Sequence, residues 1–125
     1  LNLGMQRVQF TATSTTAENQ MLSNPMYVHS IPSNNDNQDI VSMGANAALI
    51  CQKVIMNSYE VLAIEWMTIL QAIDYLKMQD KLSSKSKEAY EKLRLIFPCF
   101  VEDSIKYKDV KNVKEYIFNN HLNVL

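Results

Sequence analysis

Glycine is nearly missing from this chain: Gly4 and Gly44 are the only two, and Pro25, Pro32 and Pro98 are the only prolines. So few turn formers exclude a turn-rich β protein. Two glycines so far apart also exclude a G-x-G-x-x-G fingerprint and a phosphate loop. Cysteine is equally scarce. Cys51 and Cys99 form neither a C-x-x-C pair nor a disulfide framework, and each sits in an apolar stretch, so both read as reduced, buried and inert. Neither sign of charge dominates: Lys+Arg 12 against Asp+Glu 13 gives net charge -1. There is then no basic surface for nucleic acid and no acidic tail. His29 and His121 stand apart from each other and from any Cys/His cluster, so no metal site is expected.

Long uncharged apolar runs are lacking too. A membrane span needs about 20 mostly apolar residues, whereas Lys53, Glu60, Glu65 and Asp74 interrupt the greasiest region. The first residues, Leu1 to Arg7, have no basic start leading into an apolar core and a small-residue cleavage site, so no secretory signal is read there. They also lack an initiator Met, which suggests a piece of a longer protein. What remains is 125 residues, 47% hydrophobic and 20% charged: one globular unit or part of one.

The fold class expected is all-α. Met5 to Leu22 is a first helix, dense in Thr11, Thr13, Ser14, Thr15 and Thr16, residues that suit a helix pressed against neighbours. Ser23-Asn24-Pro25 breaks it, and Ser30 to Asp39 is a polar loop. From about Ser42 to Gln79 no proline intervenes, and apolar residues from Ala47 to Leu76 fall on every side of a helical wheel. This predicts one helix about 57 Å long. The rest of the chain is too short to cover such a helix, so something outside these residues must do so.

Residues 1 to 79 carry 3 basic and 6 acidic side chains, residues 80 to 125 carry 9 and 7: the first part is dressed for burial, the last for solvent. In the last part Ser83 is a candidate N-cap for a helix to Phe97, stopped by Pro98. Asp109 is a candidate N-cap for a closing helix near Val110 to Asn120. The organisation expected is therefore helix and loop over 1–41, a long bundle helix over 42–79, and short C-terminal surface helices over 80–125. Glu60 and Glu65 lie on different helical faces, which favours ion pairing over acid/base chemistry. The run Asn34 to Asp39 stands where the long helix begins, next to its positive dipole end. Asn37 and Gln38 can orient a ligand there but are poor proton acceptors; simple capping is the plainer alternative.

At this loop the sequence resembles a known family. His29-Ser30-Ile31-Pro32-Ser33, then Asn37-Gln38-Asp39 and Ser42-Met43-Gly44, are similar to the C-terminal region of the aromatic amino acid ammonia-lyases. The resemblance extends back to Leu1-Asn2-x-Gly4, Gln9, Thr11, Ala12, Glu18 and Asn19. It runs forward through Val61 to Glu65, Leu82-Ser83, Tyr90-Glu91-x-Leu93-Arg94 and Glu102-Asp103.

This resemblance implies a cytoplasmic, all-helical homotetrameric enzyme whose long helices bundle across subunits, with each active site built from several of them. Such enzymes eliminate ammonia from an α-amino acid with a methylidene-imidazolone group made from an internal Ala-Ser-Gly. No Ala-Ser-Gly occurs here, so the group and the catalytic residues would lie upstream and the fragment alone would be inactive. By similarity Asn37, Gln38 and Gln6 would line the pocket. Histidine-specific members carry a glutamate at the position of Gln38, whereas the amide is closer to phenylalanine or tyrosine lyases and aminomutases. The Ser30-Ile31-Pro32-Ser33 stretch, Met43 and the compact end look more like the bacterial histidine enzyme. A helical oligomerisation module without chemistry is the alternative from another class.

Overall fold

The computed structural model describes residues 3–28, 30–35, 37–38 and 40–120, so His29, Asp39, His121 and the first two residues of the family-like stretch lie outside it. Among the described residues the regular structure is helical, with no strand. The helices are α1 (Gln6–Met21), α2 (Gly44–Tyr75), α3 (Ser84–Ile96) and α4 (Tyr107–Asn120), with single 3-10 turns at Met26–Val28 and Gln79–Lys81.

α1 runs antiparallel to α2. Thr15 Oγ1 donates to Glu60 Oε1 at 3.1 Å, and Asn57 Nδ2 donates to Glu18 Oε2 at 2.7 Å and to Asn19 Oδ1 at 2.9 Å. These bonds satisfy Asn57, which is buried. Of the hydroxyl-rich run only Thr15 is seen reaching across; Thr13 and Thr16 donate back to Gln9 O and Ala12 O in their own helix.

α4 is also antiparallel to α2, through Lys114 Nζ on Glu60 Oε2 at 3.3 Å and the Tyr59–Phe118 ring pair at 5.2 Å. α4 begins before the expected point. The Lys106 carbonyl accepts from Val110 N at 2.9 Å, and Asp109 sits inside the first turn, paired with Lys106 at 3.6 Å, instead of capping. Val110, Val113 and Ile117 face inward at helical spacing and meet Val8, Ala63, Ile64, Met67, Leu70, Leu93 and Phe97 in one core.

Ser83 is the cap of α3, its Oγ accepting from Ser86 N at 3.3 Å. A polar latch joins α3 to the end of α2. Arg94 Nη2 lies 2.6 Å from Asp74 Oδ2, Tyr90 donates its hydroxyl to Asp74, and Gln79 Nε2 donates to Asp74 Oδ1 at 3.0 Å. Burial pushes the Asp74 carboxyl up, but the bonds from Tyr90 and Gln79 and the charge of Arg94 outweigh it and hold the group below its usual value. The Tyr90 phenol, its proton held by Asp74, is raised.

α2 has 32 residues and is about 48 Å long, shorter than the sequence suggests. Lys77 takes a left-handed φ of 52; its N–H donates to Asp74 O at 3.1 Å and Met78 N to Ile73 O at 3.0 Å. This is the Schellman closure that glycine usually provides. By length and composition α2 could cross a membrane, yet Asn57 and Glu60 on it bond to α1 and α4. Its buried residues are Asn57, Ala63, Ile64, Met67 and Leu70, while Leu49, Ile55, Leu62 and Ile69 are exposed.

The expectation of buried cysteines is corrected here. Cys51 and Cys99 are both exposed, because Cys51 lies on the half of α2 that α4 does not reach and Cys99 lies in the turn after Pro98.

Candidate functional site

The segment entering α2 folds into a short hairpin. Ser33 N donates to Gln38 O at 3.0 Å and Gln38 N to Ser33 O at 3.2 Å, a single antiparallel bridge. The chain turns between them with Asn34 at φ 55 and Asn35 at φ 52, conformations that asparagine tolerates better than most residues. Asn37 N closes the turn on Asn34 O at 3.1 Å. Val41 N donates to Ser30 Oγ at 3.0 Å, tying the two ends of the loop together. Beneath lies an open hollow of about 320 Å³ lined by Met26, Val28, Ser30, Ile31, Met43 and Asn46.

Asn37 and Gln38 are exposed on this hairpin. The Ser33 hydroxyl donates to Gln38 Oε1 at 3.4 Å, which leaves the Gln38 amide NH₂ as a donor. The pair of amides is uncharged, while Asp36 of the same turn lies outside the described residues. The hairpin can orient a polar ligand by hydrogen bonding but holds no proton acceptor among its described side chains.

Gln6 is elsewhere. It is the exposed first residue of α1, and because α1 is antiparallel to α2 it lies at the end remote from the hairpin. Asn19 lies opposite Val54 and Ser58 on α2, and Gln6 is about 20 Å further along the axis. The structure therefore brings Asn37 and Gln38 together and leaves Gln6 at the far end of the same chain.

Near Gln6 the sequence reading missed an arrangement. Asp103 accepts from Leu3 N through Oδ2 and from Gly4 N through Oδ1, both at 2.9 Å. These two backbone bonds hold its carboxyl below the usual range. Asp103 also borders a cavity of about 700 Å³ between α1 and α4, with Arg7, Thr11, Glu60, Lys106 and Lys114 among its lining. Two of the lysines there are paired within the chain, Lys114 with Glu60 and Lys106 with Asp109. Glu60 is thus an ion-pairing group, as its spacing from Glu65 suggests, and Glu65 is exposed. No three His, Cys, Asp or Glu side chains among the described residues converge to hold a metal ion.

A long apolar helix left half uncovered, with a polar hairpin at its head, defines part of a larger helical protein. The profile of the family "Aromatic amino acid lyase" matches residues 1–95. The histidine ammonia-lyase of Macrococcus caseolyticus is 42% identical over 117 residues, covering 94% of this chain and 23% of that protein. The MIO-dependent tyrosine 2,3-aminomutase of Streptomyces globisporus is 36% identical over 115 residues. Among solved structures, the tyrosine aminomutase from Streptomyces globisporus superposes with TM-score 0.94 at 34% identity, over 99% of this chain and 24% of that one. The histidine ammonia-lyase from Trypanosoma cruzi gives 0.89 at 27%, over 99% and 25%. The chain belongs to the aromatic amino acid lyase family. It spans about a quarter of the length of the relatives it matches.

Proposed function

We propose that this chain is the C-terminal part of a cytoplasmic, histidine ammonia-lyase-like enzyme that releases ammonia from an aromatic or heteroaromatic L-amino acid. The observation that carries this reading is the Asn37-Gln38 amide pair on the hairpin at the head of α2, in a fold that superposes on a lyase and an aminomutase over nearly its whole length.

A methylidene-imidazolone fits such a site in one respect and not in another. The amides of Asn37 and Gln38 suit a neutral, carbonyl-bearing heterocycle, but Gly4 follows Leu3 and Gly44 follows Met43, so this chain cannot itself form the group. When bound, the group supplies the electrophile that makes loss of ammonia from an amino acid accessible. This chain's part is to bind and orient. Gln38 offers its NH₂ from an oxygen anchored on Ser33, Asn37 adds a second amide, and neither takes up a proton at neutral pH.

Gln6 lines a pocket only if several subunits share each site, because within one chain it is remote from the hairpin. The exposed apolar residues of α2, Ile55, Leu62 and Ile69 along one face and Leu49 on another, support such an assembly, which we take to be a homotetramer. The fragment alone should self-associate through 42–79 and lack lyase activity.

Aminomutase activity is the second reading, favoured by the amide at Gln38 and by the structural match to a tyrosine aminomutase. The test is the full-length enzyme, whose upstream part must contain Ala-Ser-Gly, incubated with histidine, phenylalanine and tyrosine. Ammonia with an enoic acid supports a lyase, a β-amino acid supports a mutase, and neither product from any of the three removes the proposal. Gln38→Glu should raise kcat/KM for histidine relative to phenylalanine or tyrosine by about tenfold; an unchanged ratio takes Gln38 out of the specificity account.

A further inference from the structure

The entry into α1 is fixed from the far end of the chain. Met5, at the N-cap position, makes no side-chain capping bond, and no acidic residue occupies the first turn of the helix. Instead the Asp103 carboxylate grips two successive amides, Leu3 N and Gly4 N, each at 2.9 Å. From these held amides the chain turns into α1 at Gly4, whose φ of 54 is a left-handed conformation that costs a residue with a Cβ roughly 1 kcal/mol or more. The held residue then holds the next one: the Leu3 carbonyl accepts from Gln6 N at 3.1 Å. Charge-assisted bonds to backbone N–H groups are short, directional and stronger than neutral ones. The path from Asp103 through Leu3 to Gln6 is therefore two hydrogen bonds and one short piece of backbone.

We propose that Asp103 is a positioning residue for substrate, acting through Leu3 and Gly4 to set the direction in which α1 presents Gln6. This rests on the reading that Gln6 lines a pocket of the assembled enzyme. Asp103 touches neither substrate nor prosthetic group in this scheme. Its effect passes through the placement of one amide side chain, and a displacement of about 1 Å at such a side chain is enough to change turnover strongly.

The experiment is a double-mutant cycle on the full-length enzyme, reading kcat and KM separately with the best of histidine, phenylalanine and tyrosine. Asp103→Ala should lower kcat/KM about tenfold when Gln6 is present, and less than about twofold in the Gln6→Ala background, since coupled residues are non-additive. Asp103→Asn keeps one acceptor and should fall between, which keeps the test open if Asp103→Ala folds poorly. Equal losses in both backgrounds, accompanied by a lowered Tm, mean that Asp103 only stabilises the fold, and the positioning role is overturned. If Gln6→Ala alone leaves kcat/KM unchanged, Gln6 is not a lining residue and the positioning role falls with it.

Discussion

The two halves of α2 are similarly apolar, yet the chain treats them differently. From Gly44 to Met56 no residue is buried, whereas Asn57, Ala63, Ile64, Met67 and Leu70 are all buried further along. The difference lies in the neighbours. α4 crosses only the second half, where Tyr59 and Glu60 meet Phe118 and Lys114, and α1 has reached Asn19 by the level of Val54 and Ser58. Hydrophobicity along a helix thus states that it will be covered, but not by what. Here one half is covered within the chain, and the other offers Leu49 at 65% exposure and Ile55 at 47%. The matched members of the family are about four times longer than this chain, and an apolar surface of this kind marks a contact site.

The largest expected effect breaks the contrast directly. Leu70 is fully buried, so Leu70→Ala should destabilise the chain by about 3 kcal/mol through lost contacts and the cavity left behind. Leu49→Ala on the exposed half should change the stability of the dissociated chain, measured at low concentration, by less than about 0.5 kcal/mol. Chemical denaturation of both variants checks this. If the two cost the same, the exposed half is already packed in solution, and light scattering on the Leu49 variant will tell whether self-association supplies the packing.

A smaller effect belongs to the latch that ends the buried half. Arg94 and Asp74 are 12% and 16% exposed and 2.6 Å apart. Removing Arg94 leaves the Asp74 charge poorly compensated, and Arg94→Ala should cost about 2 to 3 kcal/mol, somewhat less than a fully buried pair. Because the folded Asp74 carboxyl is held below its usual value, its contribution is present above the unfolded pKa of about 3.9 and is lost as pH falls below that value. Asp103, held low by its two backbone bonds, acts in the same direction. Urea midpoints measured at pH 6 and pH 3 should therefore differ less for Asp74→Asn than for the unaltered chain.

Much of this was legible in the residues. Ser83 ahead of a helix stopped by Pro98 reads as a cap and is one, its Oγ accepting from Ser86 N. The hydroxyl run reads as a helix pressed against neighbours, though only Thr15 of it reaches across to α2, and Glu60 reads as an ion-pairing group and is one. Local chemistry is written locally. The hairpin was legible as a polar loop, while its left-handed Asn34 and Asn35 depend on a bridge closed between Ser33 and Gln38. The bond from Asp103 to Leu3 spans 100 positions, and no local pattern encodes it. The exposure of the cysteines has the same root: an apolar neighbourhood in sequence says neither which side of α2 finds a partner, as for Cys51, nor that Cys99 falls in the open stretch after Pro98. The distance between Gln6 and Gln38 likewise follows from the antiparallel packing of α1 on α2.

The smallest expected effect concerns the end of α2, where the scarcity of glycine has a structural consequence. The closure after Tyr75 needs a left-handed residue, and the chain places Lys77 there at φ 52. The bonds Lys77 N to Asp74 O and Met78 N to Ile73 O stop the helix four residues before Gln79. A lysine in that conformation is strained by contact of its Cβ with its own backbone, whereas glycine adopts it freely. Glycine also gains freedom in the unfolded chain, which offsets part of the benefit. Lys77→Gly should therefore raise stability by about 0.5 kcal/mol, seen as a small rise in the urea midpoint with an unchanged slope. A loss of stability instead would mean that the Lys77 side chain makes contacts worth more than the strain it carries, and that α2 ends where it does because of packing at its tip.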